Sequence, residues 1–148
     1  MDGSKITIDQ IDPAGAFEAL QQDPDSVLID VRTVTEWQTI GLPDLSSIGR
    51  ETICVEWVQL PDRMMNPAFL DEVRAGLGDE KPSRMFFICR SGVRSLAAAQ
   101  AVANVFGTEG GPVHCTNVTE GFEGDQNYLA GTDSGKGWKA RGLPWRSG

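Results

Sequence analysis

Cys89 closes the apolar run Met85-Phe86-Phe87-Ile88 and opens the stretch Cys89-Arg90-Ser91-Gly92-Val93-Arg94-Ser95, which an alanine-rich segment from Leu96 to Phe106 follows. A thiol at a strand end, ahead of a short turn and a helix, faces the turn's N–H groups and the positive end of the helix dipole. That field favours an anion at the sulfur and a second charged group beside it. Arg90 and Arg94 add two cations in the same turn. These are the residue types of nucleophilic catalysis by a thiolate on a small anionic substrate. An inert core cysteine, the commoner role for a free thiol, has no need of flanking cations.

Loop length narrows the chemistry. Arg90, Ser91, Gly92 and Val93 separate Cys89 from Arg94. A cysteine-dependent phosphatase or arsenate reductase needs one residue more, so that the loop encloses the equatorial oxygens of a tetrahedral oxyanion. Ser95 fills the next position here, and Ile88 rather than histidine precedes the cysteine. The shorter loop fits a single sulfur atom.

The elements that must hold this thiol follow from periodicity. Ile6 and Ile8 alternate with polar residues, a strand pattern, and Asp12-Pro13 supplies an N-cap and a first-turn proline for a helix carrying Phe17 and Leu20. Asp23-Pro24-Asp25 breaks that helix. Val27 to Val31 is nearly continuously apolar, as for a strand buried on both faces. Thr33 or Thr35 caps a short helix through Trp37, ended by Gly41 and Pro43. Thr52 to Val55 predicts a third strand, and Asn66-Pro67 a second cap-and-proline start for a helix with Phe69, Leu70, Val73 and Leu77 on one stripe. Met85 to Ile88 and Val113 to Val118 complete five strands, and Gln100 and Asn104 mark the solvated stripe of the helix after Cys89. Strands alternating with helices imply an α/β domain with a mainly parallel five-stranded sheet and helices on both faces. Ligands bind such sheets outside the carboxyl ends of the strands, where Cys89 falls.

The chain reads as one domain over 1–148, with its core about 6–121 and a Gly/Trp-rich segment, 122–148, laid back on the body. Net charge −8 argues against nucleic acid or an anionic membrane as partner. It also isolates Arg84, Arg90 and Arg94 as an expected positive island for a small anion. Cys54, Cys89 and Cys115 are sparse and irregular, which reads as reduced thiols, and Met1 to Lys5 lack a basic start before an apolar core. With no apolar run near the roughly 20 residues of a membrane span, the expected location is the cytoplasm. No cofactor or metal is expected: His114 is the one histidine, and it sits beside Cys115 as a packing residue of the last strand. Gly131 to Gly137 lacks the residues and the preceding strand of a phosphate loop.

Taken together, Leu28-Ile29-Asp30-Val31-Arg32 with Glu36-Trp37, the stretch Ile88 to Ser95, Asn117 to Gly124 and the segment from Gly137-Trp138 to Leu143-Pro144-Trp145 resemble a single-domain rhodanese-like protein of a bacterial branch. The likeness runs from about Ile6 to Trp145. It implies a sulfurtransferase that moves sulfane sulfur from thiosulfate or another donor, through a Cys89 persulfide, to cyanide or a thiol. By the same resemblance the loop from Arg90 through Ser91, Gly92, Val93 and Arg94 to Ser95 cradles the sulfur, Arg90 and Arg94 hold the donor's oxyanion, and Asp30 and Arg32 support the loop from the neighbouring strand end. A rhodanese-fold sulfur-relay or binding module, loaded by a partner protein and turning over little thiosulfate, is the alternative. The family's Gly-His-Ile-Pro-Gly-Ala stretch is replaced by Ile40 to Leu45 without histidine, so that connection packs differently.

Overall fold

In chain order the elements are β1 (Asp9–Ile11), α1 (Pro13–Gln22), β2 (Ser26–Asp30), α2 (Val34–Thr39), β3 (Leu42–Pro43), a 3-10 turn (Ser46–Ile48), β4 (Ile53–Cys54), β5 (Val58–Gln59) and β6 (Met64–Met65). They continue with α3 (Phe69–Leu77), β7 (Arg84–Ile88), α4 (Val93–Gly110), β8 (His114–Val118) and β9 (Trp145–Arg146). This computed structural model describes residues 8–78, 82–110, 114–124 and 136–147. Ile6, Val113 and the Gly131–Gly135 stretch lie outside them.

The main sheet has the order β1-β8-β7-β2-β4, and all its pairs are parallel. The two most apolar strands, β2 and β7, take the inner positions and pair over their full length, Ser26 with Arg84 through Asp30 with Ile88. Leu28 and Ile29 are both fully buried although they face opposite ways, as are Phe86 and Phe87. One face packs Ile29, Val31 and Phe87 against Val73 of α3 and Ala98, Ala99 and Val102 of α4. The other packs Leu28, Phe86 and Ile88 against Ala16 and Leu20 of α1 and against Phe122 and Trp138. The five-stranded parallel α/β sheet expected from the sequence is the architecture found.

The caps hold α1 and α2 as the residue types dictate. Asp12 accepts the Gly15 N–H at 2.8 Å, ahead of Pro13. Thr33, not Thr35, caps α2 in a reciprocal box with Glu36. Among the described residues the first strand is Asp9–Ile11, an edge strand whose exposed Asp9 and Gln10 carry no apolar signal. Two local expectations are corrected. Asn66-Pro67 does not start α3. The Asn66 carboxamide accepts the Ala68 N–H and donates to Glu56 and Glu72, forming a turn that delays the helix to Phe69. Finally, β8 is not the last strand, because β9 pairs antiparallel with β3.

Candidate functional site

Cys89 lies directly after β7 at the carboxyl edge of the sheet, with only 1% of its surface exposed. Two donors converge on its sulfur. The Gly92 N–H lies 3.1 Å from Sγ and the Ser95 hydroxyl 3.2 Å from it. Gly92 reaches this position with φ +105, a left-handed conformation that disfavours a side chain; a Cβ there would meet only ordinary contacts, so the demand for glycine is conformational. Ser95, on the first turn of α4, is fully buried.

Asn117 of β8 completes the network. Its amide nitrogen donates to the Gly92 carbonyl at 3.1 Å and to Gln10 at 2.9 Å, and its oxygen lies 2.5 Å from Ser95 Oγ. The Gly92 carbonyl can only accept, which fixes the amide's orientation. The single Ser95 proton therefore has two acceptors to choose between. With Cys89 as a thiol, the S–H donates to Ser95 while Ser95 donates to Asn117. With an anionic sulfur, the hydroxyl turns to the sulfur. Sequence reasoning left Asn117 without a role of its own; it stood only as the first residue of the Asn117 to Gly124 likeness.

The arginines are placed differently from one another. Arg94 is held by Glu36 through two hydrogen bonds, 2.8 and 3.0 Å, with both side chains 17% exposed. Burial pushes the Glu36 carboxyl up, but the hydrogen bonds and charge of Arg94, with Thr33, outweigh it and hold it below its ordinary value. Burial likewise opposes the Arg94 charge, while Glu36, then Cys89 and Asp30, favour it more strongly. Arg90 lies 3.6 Å from the Glu123 carboxylate. Arg84 does not join them. It stands at the opposite end of β7, about 13 Å along the strand, bonded to Thr116 and stacked on Phe86. The expected three-arginine island is thus reduced, because strand length separates Arg84 from Arg90, only six positions on in the sequence.

Asp30 and Arg32 form a fully buried pair at the end of the neighbouring strand, with Arg32 Nη2 2.7 Å from the carboxylate. Arg32 also donates to the Gly41 carbonyl and lies over the Phe122 ring at 4.3 Å. Phe122 belongs to the segment that grips the cysteine. Its N–H donates to the Cys89 carbonyl at 2.8 Å, and that of Glu123 to the Arg90 carbonyl at 3.0 Å. Gly121, at φ +63, sits so close that a Cβ would lie 2.4 Å from the Cys89 oxygen. Residues after 135 hold this segment in turn. Trp138 N–H donates to the Gly121 carbonyl and Lys139 N–H to that of Phe122, while the fully buried Trp138 ring meets Phe17 edge-on.

Outside the loop, a cavity of about 600 Å³ is lined by Glu36, Leu60, Arg63, Arg90, Val93, Arg94 and Glu123 among others. A larger one, about 880 Å³, lies at the amino end of β2. There the Arg50 guanidinium is spent on Ser26 and the Leu20 carbonyl, whereas Arg90, Ser91, Val93 and Arg94 of the cysteine loop line the smaller cavity. Cys54 and Cys115 are both pushed up to about 12 by burial, with the Asp30 charge adding at Cys54. Cys54 is in register with Asp30 and Asp30 with Ile88, which puts Cys54 about 10 Å from the β7 end. Cys115 pairs with Met85, about 13 Å back along β7. Neither can bridge to Cys89 without backbone movement, since disulfides need Cα atoms within about 7 Å. Among the described residues no group of three His, Cys, Asp or Glu could hold a metal, and no helix is long and apolar enough to cross a membrane.

A family model for the rhodanese-like domain matches residues 13–127. An uncharacterised protein of Rickettsia conorii is 32% identical over 141 residues, covering 95% of this chain and 99% of its own. The crystal structure of Rv0390 from M. tuberculosis is similar with a TM-score of 0.81 and 42% identity, over 97% of this chain and 100% of that one. The polysulfide-sulfur transferase homodimer of Wolinella succinogenes shares the fold, with a TM-score of 0.54 and 19% identity over 94% of this chain and 78% of that one.

Proposed function

The chain belongs to the rhodanese-like family, and from that premise we propose that it is a sulfurtransferase working through a persulfide on Cys89. The observation that carries this reading is the convergence of the Gly92 N–H and the Ser95 O–H on a buried sulfur at a strand's carboxyl end. Such donors stabilise an anion at the sulfur without solvent. They serve the thiolate and the persulfide alike, because the outer sulfur of a persulfide is itself anionic.

With thiosulfate as donor, the Cys89 thiolate attacks the outer sulfur. The bond from that sulfur to the sulfonyl group breaks, and its electron pair leaves with sulfite. In the second step an acceptor such as cyanide takes the outer sulfur as thiocyanate and returns the thiolate, so the kinetics are ping-pong. Ser95 and Gly92 hold the sulfur. Arg94, both of whose bonds run to Glu36, acts by fixing the turn and by placing positive charge near the thiolate. Asp30 and Arg32 support the turn through Phe122.

The test is intact mass after incubation with thiosulfate. A gain of one sulfur atom, reversed by cyanide and absent in Cys89→Ser, is expected. No adduct, or one that persists in Cys89→Ser, refutes a Cys89 persulfide formed from thiosulfate. A relay from a protein donor is the second reading, favoured by the exposed Val93, Leu60, Met64 and Met65 at and beside the cavity mouth. It predicts a persulfide formed from a persulfidated protein but not from thiosulfate.

A further inference from the structure

The cavity outside the cysteine loop carries three arginines and two glutamates, Arg63, Arg90, Arg94, Glu36 and Glu123. Glu36 is bonded to Arg94 and Glu123 faces Arg90. The remaining cation is Arg63, which is exposed and has no carboxylate partner among the described residues. On a chain of net charge −8, the surplus positive charge among the described residues lining this cavity comes from Arg63.

Its backbone adds an independent observation. Arg63 lies in the connection between β5 and β6 with φ 56, the left-handed region. Glycine or asparagine meets that conformation with less steric conflict, so the turn itself does not ask for an arginine. An arginine at such a position carries backbone strain that the turn itself does not call for. Asp62, its neighbour, does not line the cavity.

We propose that Arg63 receives the anionic end of the sulfur donor, and so selects anionic donors over neutral ones. The inference rests on the sulfurtransferase reading for its substrate. For thiosulfate, the guanidinium would hold the sulfonyl oxygens while the outer sulfur meets Cys89, and sulfite would leave from the same cation with the electron pair of the broken sulfur–sulfur bond. Arg94 is held by two hydrogen bonds to Glu36 and Arg90 lies 3.6 Å from Glu123, so Arg63 is the lining cation with no carboxylate partner among the described residues.

The experiment compares the unmodified protein with Arg63→Gly and Arg63→Lys. Glycine removes the charge and suits the left-handed backbone, so a lost rate cannot be laid to a misfolded turn. The second-order rate of persulfide formation from thiosulfate, read by mass, is expected to fall roughly tenfold in Arg63→Gly. Arg63→Lys should restore much of it, and the difference should shrink as salt is raised. In parallel, Cys89 is alkylated by iodoacetate and by iodoacetamide, in each of which the thiolate displaces iodide. The anionic reagent should lose ground to the neutral one in Arg63→Gly, by a similar factor. Unchanged thiosulfate rates and an unchanged reagent ratio overturn the assignment, as does a Cys89 that reacts with none of these. If the unmodified protein takes no sulfur from thiosulfate, the thiosulfate reading fails, yet the reagent ratio still decides for or against Arg63.

Discussion

Gly121→Ala tests whether the segment after β8 governs the sulfur. The added Cβ would lie 2.4 Å from the Cys89 oxygen and 2.5 Å from the carbonyl carbon and oxygen of Arg90. All three are backbone atoms, so no rotamer change relieves the overlap. Ordinary contact begins near 3.4 Å, so the Cys89–Arg90 turn and the Gly121 segment must part by about 1 Å. An alanine at φ +63 adds about 1 kcal/mol of left-handed strain. The two hydrogen bonds from Phe122 and Glu123 to this turn are weakened at about 1 kcal/mol each. The total is about 3 kcal/mol, a fall in Tm of roughly 10 °C for a domain of this size. Displacement of the nucleophile by about 1 Å should cut the rate of persulfide formation about 100-fold. Gly49→Ala is the control. Gly49 has φ +74, but a Cβ there meets nothing within 4 Å, so it carries the conformational penalty alone. The assays are thermal unfolding and the initial rate of mass gain from thiosulfate. If Gly121→Ala matches Gly49→Ala in both, the clamp does not control the cysteine and the reasoning fails.

Two further outcomes follow from the site. Ser95→Ala removes one of the two donors on the sulfur and should slow persulfide formation at fixed pH by roughly tenfold or more, with little change in Tm relative to Gly121→Ala; an unchanged rate would mean that Gly92 suffices. Glu36→Gln should lower stability by about 2 kcal/mol at neutral pH, because it leaves Arg94 half-buried without its anion. The Glu36 carboxyl is depressed below 4.5 in the folded protein. Its stabilisation is therefore complete above 4.5 and lost as pH falls through the lower folded value. Tm measured against pH should show the gap between Glu36→Gln and the unmodified protein closing in that acid range, and a constant gap would contradict the assigned pairing.

The parts of the fold legible in the sequence were those carried by local pattern. The apolar runs of β2 and β7 and the caps at Asp12 and Thr33 state their structure within a few residues. What stayed hidden depends on meetings between distant residues. Glu36 finds Arg94 across 58 positions, and Ser95 finds Asn117 across 22. β3, β5, β6 and β9 are two residues each, too short to display a period. Arg84 was misplaced for a related reason: closeness in sequence becomes distance once the chain extends into a strand. Arg63 gave no motif at all, since its significance lies in the carboxylates its neighbours have already found.

The clamp on Cys89 also imposes an order in time. Trp138 follows Cys89 by 49 positions, roughly 2–10 s of ribosomal synthesis. Through that interval the thiol has been synthesised, but the residues that lock Gly121 and Phe122 against its carbonyl have not. A growing chain thus carries the cysteine turn before its clamp, and the clamp closes only once the later tryptophan has been added behind it.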